Sequence, residues 1–246
     1  MFNYLRDNPR RLAVKKLMPE LFRVRNDLVL NLKLPLQAQD RPLRSVPGTG
    51  VPGLEAHFAA IGNLFLLDSP NILQVQCSRS WLAYKRVPKP GGGSKIARDA
   101  AGIPTIEKST PEFEEKRDEL LAAAKHGAVL ISPCISDGER EIARLAFAAF
   151  LPVIALRNMG FSPLYKPGGK LFDKTVNGKL LLLAPAAWPY STEEKPITRL
   201  DACVMNRLAQ LIAGQGAAEI NYKGVKPNDV DRLVGEAVAS GKETAA

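Results

Sequence analysis

The sequence predicts an α/β fold, a parallel sheet with helices on both faces, preceded by a basic helical arm. Three observations lead there. Short apolar runs at Ile72–Cys77, Ala128–Ile131, Val153–Leu156, Leu180–Ala184 and Ala217–Tyr222 are bounded by Gly, Pro or Ser, as buried strands are. Segments of helical period lie between them, and strand–helix alternation of this length implies parallel βαβ units. The strands are apolar almost throughout rather than alternating, which implies a sheet covered on both sides. Together these describe a Rossmann-like domain over residues 53–224, with an arm and linker over 1–52 and a helix and tail over 225–246.

Residues 1 to about 34 read as one or two helices, because Leu12, Val14, Leu17, Leu21, Val24 and Leu28 recur at roughly helical spacing. Pro19 suits the first turn of the second. The segment 35–52 carries four prolines and two glycines and reads as a linker. Leu54–Leu67 suggests a helix leading into the first strand. Helices are expected over Phe113–Lys125, Glu139–Phe150, Ala202–Ala213 and Asp229–Ala239. Between Ser80 and Pro111 the chain is basic and, around Val87-Pro88-Lys89-Pro90-Gly91-Gly92-Gly93-Ser94-Lys95, flexible by composition.

The 246 residues, 46% hydrophobic and 24% charged, exclude disordered and fibrous classes. No apolar run reaches the ~20 residues of a membrane span, and the N-terminus lacks a signal-peptide core, so no membrane is expected. Cys77, Cys134 and Cys203 form no CxxC pair, which argues against zinc and disulfides and for a reducing cytoplasm. No cofactor or metal is expected. The net charge is +9. Arg6, Arg10, Arg11, Lys15, Lys16, Arg23, Arg25, Lys33, Arg41 and Arg44 face only Asp7, Glu20, Asp27 and Asp40. Such asymmetry suits a phosphate-backbone binder, which gains affinity from counterion release.

In open α/β sheets ligands sit beyond the carboxyl ends of the strands, so the residues following each strand are the candidates. These are Ser78 and Arg79; Ser132, Ser136, Gly138 and Glu139; Arg157; and Arg199, Asn206 and Arg207. Ser136 or Asp137 also suits a helix N-cap. Trp81, Tyr84, Tyr165, Trp188 and Tyr190 are candidate base-stacking residues or core edges.

The order of these pieces resembles the DNA-processing protein A (DprA/Smf) family. Gly62-Asn63-Leu64-Phe65-Leu66-Leu67 is similar to the family's G-N-x-x-L-L leader, and the strand ending Cys77-Ser78-Arg79 to its G-S-R. Ser132 through Glu139 resembles its S-G-x-A-x-G-I-D turn, and Met205 through Ala213 its R-N-R-I-I-A helix. Val153–Arg157 and Gly178–Pro185 resemble the intervening strands. The chain departs from the pattern at Cys77, Pro133 and Met205, which stand where the family has Gly, Gly and Arg. The resemblance spans roughly residues 60–222. It implies non-catalytic binding of single-stranded DNA in bacterial-type DNA recombination and natural transformation, with a recombinase partner and a homodimer.

Enzymatic chemistry is thinly represented. His57 and His126 lie in no motif, and His126 suits a helix C-cap. Cys134 at a helix N-terminus reads as a nucleophile or, more simply, as a structural thiol. Pro90-Gly91-Gly92-Gly93-Ser94 is similar to the P-G-G-x-G-T of nucleotide phosphoribohydrolases but comes too early in the chain, with no glutamate-bearing helix after it. The alternative readings are a nucleotide sensor or phosphoribohydrolase-like enzyme on the same fold, and a structural domain with a decayed pocket.

Overall fold

The computed structural model describes residues 16–33, 53–193 and 196–239. Six strands form the main sheet in the order β1-β2-β10-β9-β8-β3. They are β1 (Arg25–Lys33), β2 (Gly53–Gly62), β3 (Ile72–Gln74), β8 (Val129–Ser132), β9 (Val153–Leu156) and β10 (Leu180–Pro185). The four strands β3, β8, β9 and β10 run parallel, with Leu130 opposite Val153 and Leu181 opposite Ile154. β2 runs antiparallel to both β10 and β1. Helices α1 (Pro111–Lys125), α2 (Asp137–Ala148), α3 (Lys170–Val176), α4 (Arg199–Ala213) and α5 (Pro227–Ala237) connect or cover the sheet. This is an α/β, Rossmann-like architecture.

Alternation along the strands sorts the core into two layers. Ile131, Ile154, Leu156, Leu181 and Leu183 pack with Val204, Leu208 and Leu211 of α4 and Val230 and Val234 of α5. The intervening Leu130 and Val153 pack with Phe113 and Leu120 of α1 and Ile142 of α2, while Leu180 and Leu182 meet Leu171 of α3. Every residue of β8 and β10 is buried, so each apolar side chain contributes about 1.5–3 kcal/mol whichever way it points.

Two segments differ from the sequence expectation in kind. Arg25–Lys33 is the edge strand β1, not helix, and Leu28, Leu30 and Leu32 alternate onto the core with period two. Gly53–Gly62 is strand β2 followed by a 3-10 turn at Leu64–Asp68, where one long helix was expected. Flanked by β1 and β10, β2 gains ladder hydrogen bonds on both edges, and pairing overrides its Ala-rich, helix-compatible composition. The arm residues Arg6, Arg10, Arg11, Lys15, Arg41 and Arg44 and the segment 35–52 lie outside the described residues.

Ala217–Tyr222 forms no strand. Gly216 presses so closely on Ile72 that an added Cβ would lie 1.9 Å from its carbonyl oxygen. The Ala218 N–H then donates to the Gln74 side chain at 2.9 Å rather than to a ladder partner.

Between β3 and α1 the expected flexible loop is two small antiparallel hairpins. β4 (Leu82–Tyr84) pairs with β7 (Ile106–Ser109), and β5 (Arg86–Pro88) pairs with β6 (Ser94–Ile96). Gly91, Gly92 and Gly93 adopt positive φ at the β5–β6 turn. The phosphoribohydrolase-like glycines thus close a hairpin, not a strand-to-helix turn.

Candidate nucleic-acid interface

The carboxyl ends of β3 and β8 are neighbours in the sheet, and the N-terminus of α2 ties them together. Ser136 caps α2 by accepting the Glu139 N–H at 3.1 Å, and the Glu139 carboxylate returns to the Ser136 N–H at 3.4 Å, a capping box. The same carboxylate accepts the Ile135 N–H at 2.8 Å and, across the strand ends, the Cys77 N–H at 3.5 Å. Gly138 permits this closeness, since a Cβ there would lie 2.9 Å from Cys77 Cβ. Burial raises the Glu139 carboxyl above its ordinary value, against the opposing pull of these N–H donors.

Ser132, Ser136 and Glu139 are fully buried, and their hydrogen bonds are internal. Ser132 Oγ accepts the Cys134 N–H at 3.0 Å and so holds Cys134 in the left-handed region at φ 52°. The backbone amides that the sequence reading offered to a phosphate are thus filled by the protein's own carboxylate. The Cys134 thiol is pushed up to about 11 by burial, and Cys77 to about 12 by burial with Glu139 adding to it. Neither is an activated nucleophile.

Arg207 is also enclosed. It is 7% exposed, donates from Nε to Asp231 of α5 at 2.9 Å and binds the Gln210 side chain. Arg199 is exposed but holds the backbone after α4, donating to the carbonyl oxygens of Lys223 and Asn221. Asn206 Oδ1 is buried without a hydrogen-bond donor. Of the strand-end candidates Arg79, Ser132 and Arg207, two are therefore withdrawn from solvent: Ser132 is buried on the Cys134 N–H, and Asp231 of α5 claims Arg207.

What remains open is the first strand end and the excursion beyond it. Ser78, Arg79 and Ser80 are exposed, with the two hydroxyls 2.8 Å apart. Residues 78–109 hold seven cations (Arg79, Lys85, Arg86, Lys89, Lys95, Arg98 and Lys108) against two carboxylates, Asp99 and Glu107. All seven cations are exposed. Arg86 pairs with Asp137 at 3.1 Å and Arg98 donates to the Gly102 carbonyl at 2.8 Å. The other five make no side-chain hydrogen bond or ion pair within the described residues.

The excursion is pinned to α2 at two points. Asp137 accepts the Tyr84 N–H at 3.1 Å, and the Tyr84 hydroxyl donates to Glu141 at 2.8 Å. Arg144 completes that buried group by gripping Glu141 at 2.7 and 2.6 Å. Burial, with Glu141 adding to it, raises the Tyr84 phenol. The basic hairpins therefore stand beside the β3 and β8 ends, on a side chain that the sequence reading offered for base stacking.

Arg157, after β9, lies with its guanidinium 4.9 Å from the ring centres of both Phe161 and Tyr165, and its Nε is buried without an acceptor. Residues 157–165 form a loop with no helical or strand repeat, so no spacing in the sequence marks the contact of Arg157 with Phe161 and Tyr165. Trp188 packs against the core and Tyr190 is 45% exposed. His126 caps α1, with Nδ1 2.8 Å from the Ala122 carbonyl oxygen. Among the described residues no cluster of three or more metal-ligating side chains occurs, and no helix is long and apolar enough to cross a membrane.

Among solved structures, the chain is similar to DNA processing protein A from Helicobacter pylori, a structure described for its single-stranded DNA binding mode. The two are 17% identical with a TM-score of 0.38, and the likeness covers 76% of this chain and 66% of that one. No protein-family profile matches the chain, and no curated protein matches it. The α/β assignment rests on strand order and helix placement.

Proposed function

We propose that the protein binds single-stranded DNA through its backbone phosphates and performs no chemistry on it. One observation carries the phosphate-binding part of this reading, and the family resemblance supplies its preference for a single strand. A hairpin excursion anchored at the strand ends exposes seven cations against two carboxylates, and five of the cations make no side-chain hydrogen bond or ion pair within the described residues. Unpaired surface cations in a row gain affinity for a polyanion by releasing its counterions, without any need for a deep pocket. Ser78 and Arg79 begin the track, and Lys85, Lys89, Lys95 and Lys108 continue it. Ser136, Gly138 and Glu139 fix the loop on which the track stands. A homodimer and a recombinase partner, which the family resemblance implies, belong to the same proposal.

The test is fluorescence anisotropy at fixed salt with labelled dT30, dT6 and a 30-base-pair duplex. The expected result is affinity that rises steeply from dT6 to dT30, with the duplex weaker than dT30. Equal affinity for both lengths, or preference for the duplex, overturns the proposal.

A further inference from the structure

A concave surface lies outside the basic hairpins, among residues none of which belongs to them. It is a groove of about 380 Å³ between the residues entering β1 and the loop that follows β9. One wall adjoins β1, the edge strand opposite β3. From the groove's composition and geometry, we infer that it binds one nucleotide, base against the half-buried rings of Phe161 and Tyr165 and phosphate on two cations.

One wall is aromatic. Phe161 and Tyr165 line one side with their ring centres 5.0 Å apart and their planes tilted by 52°. Phe22, buried and stacked on Phe172 at 5.0 Å, closes the other side as a floor and offers no ring face to a ligand. The Arg157 guanidinium, 4.9 Å from both ring centres, fixes the first pair and adds positive potential beside them. Rings held this way are pre-ordered for a planar partner, and base–aromatic stacking is tolerant of base identity.

The rim is cationic. Arg23 and Lys166 line the groove, both are exposed, and neither makes an ion pair or hydrogen bond within the described residues. Among the described residues, no aspartate or glutamate lines the groove. A site with an aromatic wall, unpaired cations and no carboxylate selects a flat anion and disfavours a cation or a neutral sugar. The volume falls within the ~300–1,000 Å³ of small-molecule sites.

One chemistry here has two sources, a free nucleoside monophosphate or one nucleotide of a bound strand. The strand form rests on the proposed DNA binding, whereas the free form does not. The experiment uses the full chain and two variants, Arg23→Glu/Lys166→Glu and Tyr165→Ala. Each is titrated with AMP and with labelled dA30, with inorganic phosphate as control and thermal melting as the check on folding. The charge variant alters only exposed side chains, so it keeps the test valid if Tyr165→Ala fails to fold.

A free-nucleotide site is supported by saturable AMP binding, absent for phosphate alone, that weakens at least tenfold in the charge variant. A strand subsite is supported if AMP does not bind but dA30 affinity falls at least fivefold in that variant. If AMP does not bind and dA30 binds both proteins equally, the groove assignment is overturned while DNA binding stands. If neither ligand binds the wild type, both proposals fall.

Discussion

Replacing Glu139 with alanine probes the junction on which the proposed interface stands. The carboxylate accepts the Ile135 N–H at 2.8 Å and the Ser136 N–H at 3.4 Å, while the Cys77 N–H at 3.5 Å contributes little at that distance. A buried donor left without an acceptor costs about 1–3 kcal/mol. Two such donors give a loss of about 2–6 kcal/mol, or a fall in melting temperature of about 4–24 °C for a chain of this size. Thermal unfolding followed by circular dichroism reads it directly. A fall below about 2 °C would refute the claim that this carboxylate holds the two strand-end loops together. Glu139→Gln adds a pH test. The folded-state carboxyl is raised above its ordinary 4.5, so its stabilising contribution is full below that value and is lost as pH rises through the raised one. The melting temperature of the wild type relative to Glu139→Gln therefore falls as pH rises above about 4.5, and a difference that grows with pH contradicts the raised value.

Three further outcomes follow from packing and charge. Gly62 has φ +113° and a Cβ there would lie 2.2 Å from the Leu180 carbonyl oxygen, so Gly62→Ala costs about 2–5 kcal/mol, measured by urea unfolding. Gly235→Ala in α5, with nothing within 4 Å, is the control and leaves stability unchanged or raised. Arg207→Ala lowers the melting temperature by leaving Asp231 unpaired, yet changes dT30 affinity less than twofold, whereas Arg79→Ala weakens binding; a large binding loss for Arg207→Ala returns that residue to the interface. Native protein at about pH 8 shows no rapidly reacting thiol with a disulfide reagent, because burial raises Cys77, Cys134 and Cys203; one fast equivalent contradicts that environment.

The central strands were legible because β8, β9 and β10 are covered on both faces, and full coverage leaves a near-continuous apolar run in the chain. β2 was not, because Glu55, Ala56, His57, Ala59 and Ala60 suit a helix, and only two strands distant in sequence turn them into a ladder. Val24, just before β1, and Leu28 match a helical period while Leu28, Leu30 and Leu32 match period two, and the first pattern masked the second. Residue types at the strand ends were readable, but their use was not. Arg207 is claimed by Asp231, 24 residues later in a helix that no strand-end pattern includes. The basic stretch after β3 announced its charge, while the hairpins that display it depend on Asp137 and Glu141, more than fifty residues away.

The central claim is that unpaired cations on the β4–β7 and β5–β6 hairpins carry DNA affinity. A salt titration of dT30 binding, comparing wild type with Lys85→Ala/Lys89→Ala/Lys95→Ala/Lys108→Ala, tests it most directly. Each phosphate contact to a single strand contributes about −0.7 to the slope of log affinity against log salt, so removing four flattens it by about 2.8. Between about 50 and 200 mM salt, the wild type then loses roughly fifty times more affinity than the variant does. Parallel slopes for the two proteins would place the binding charge elsewhere and contradict the account.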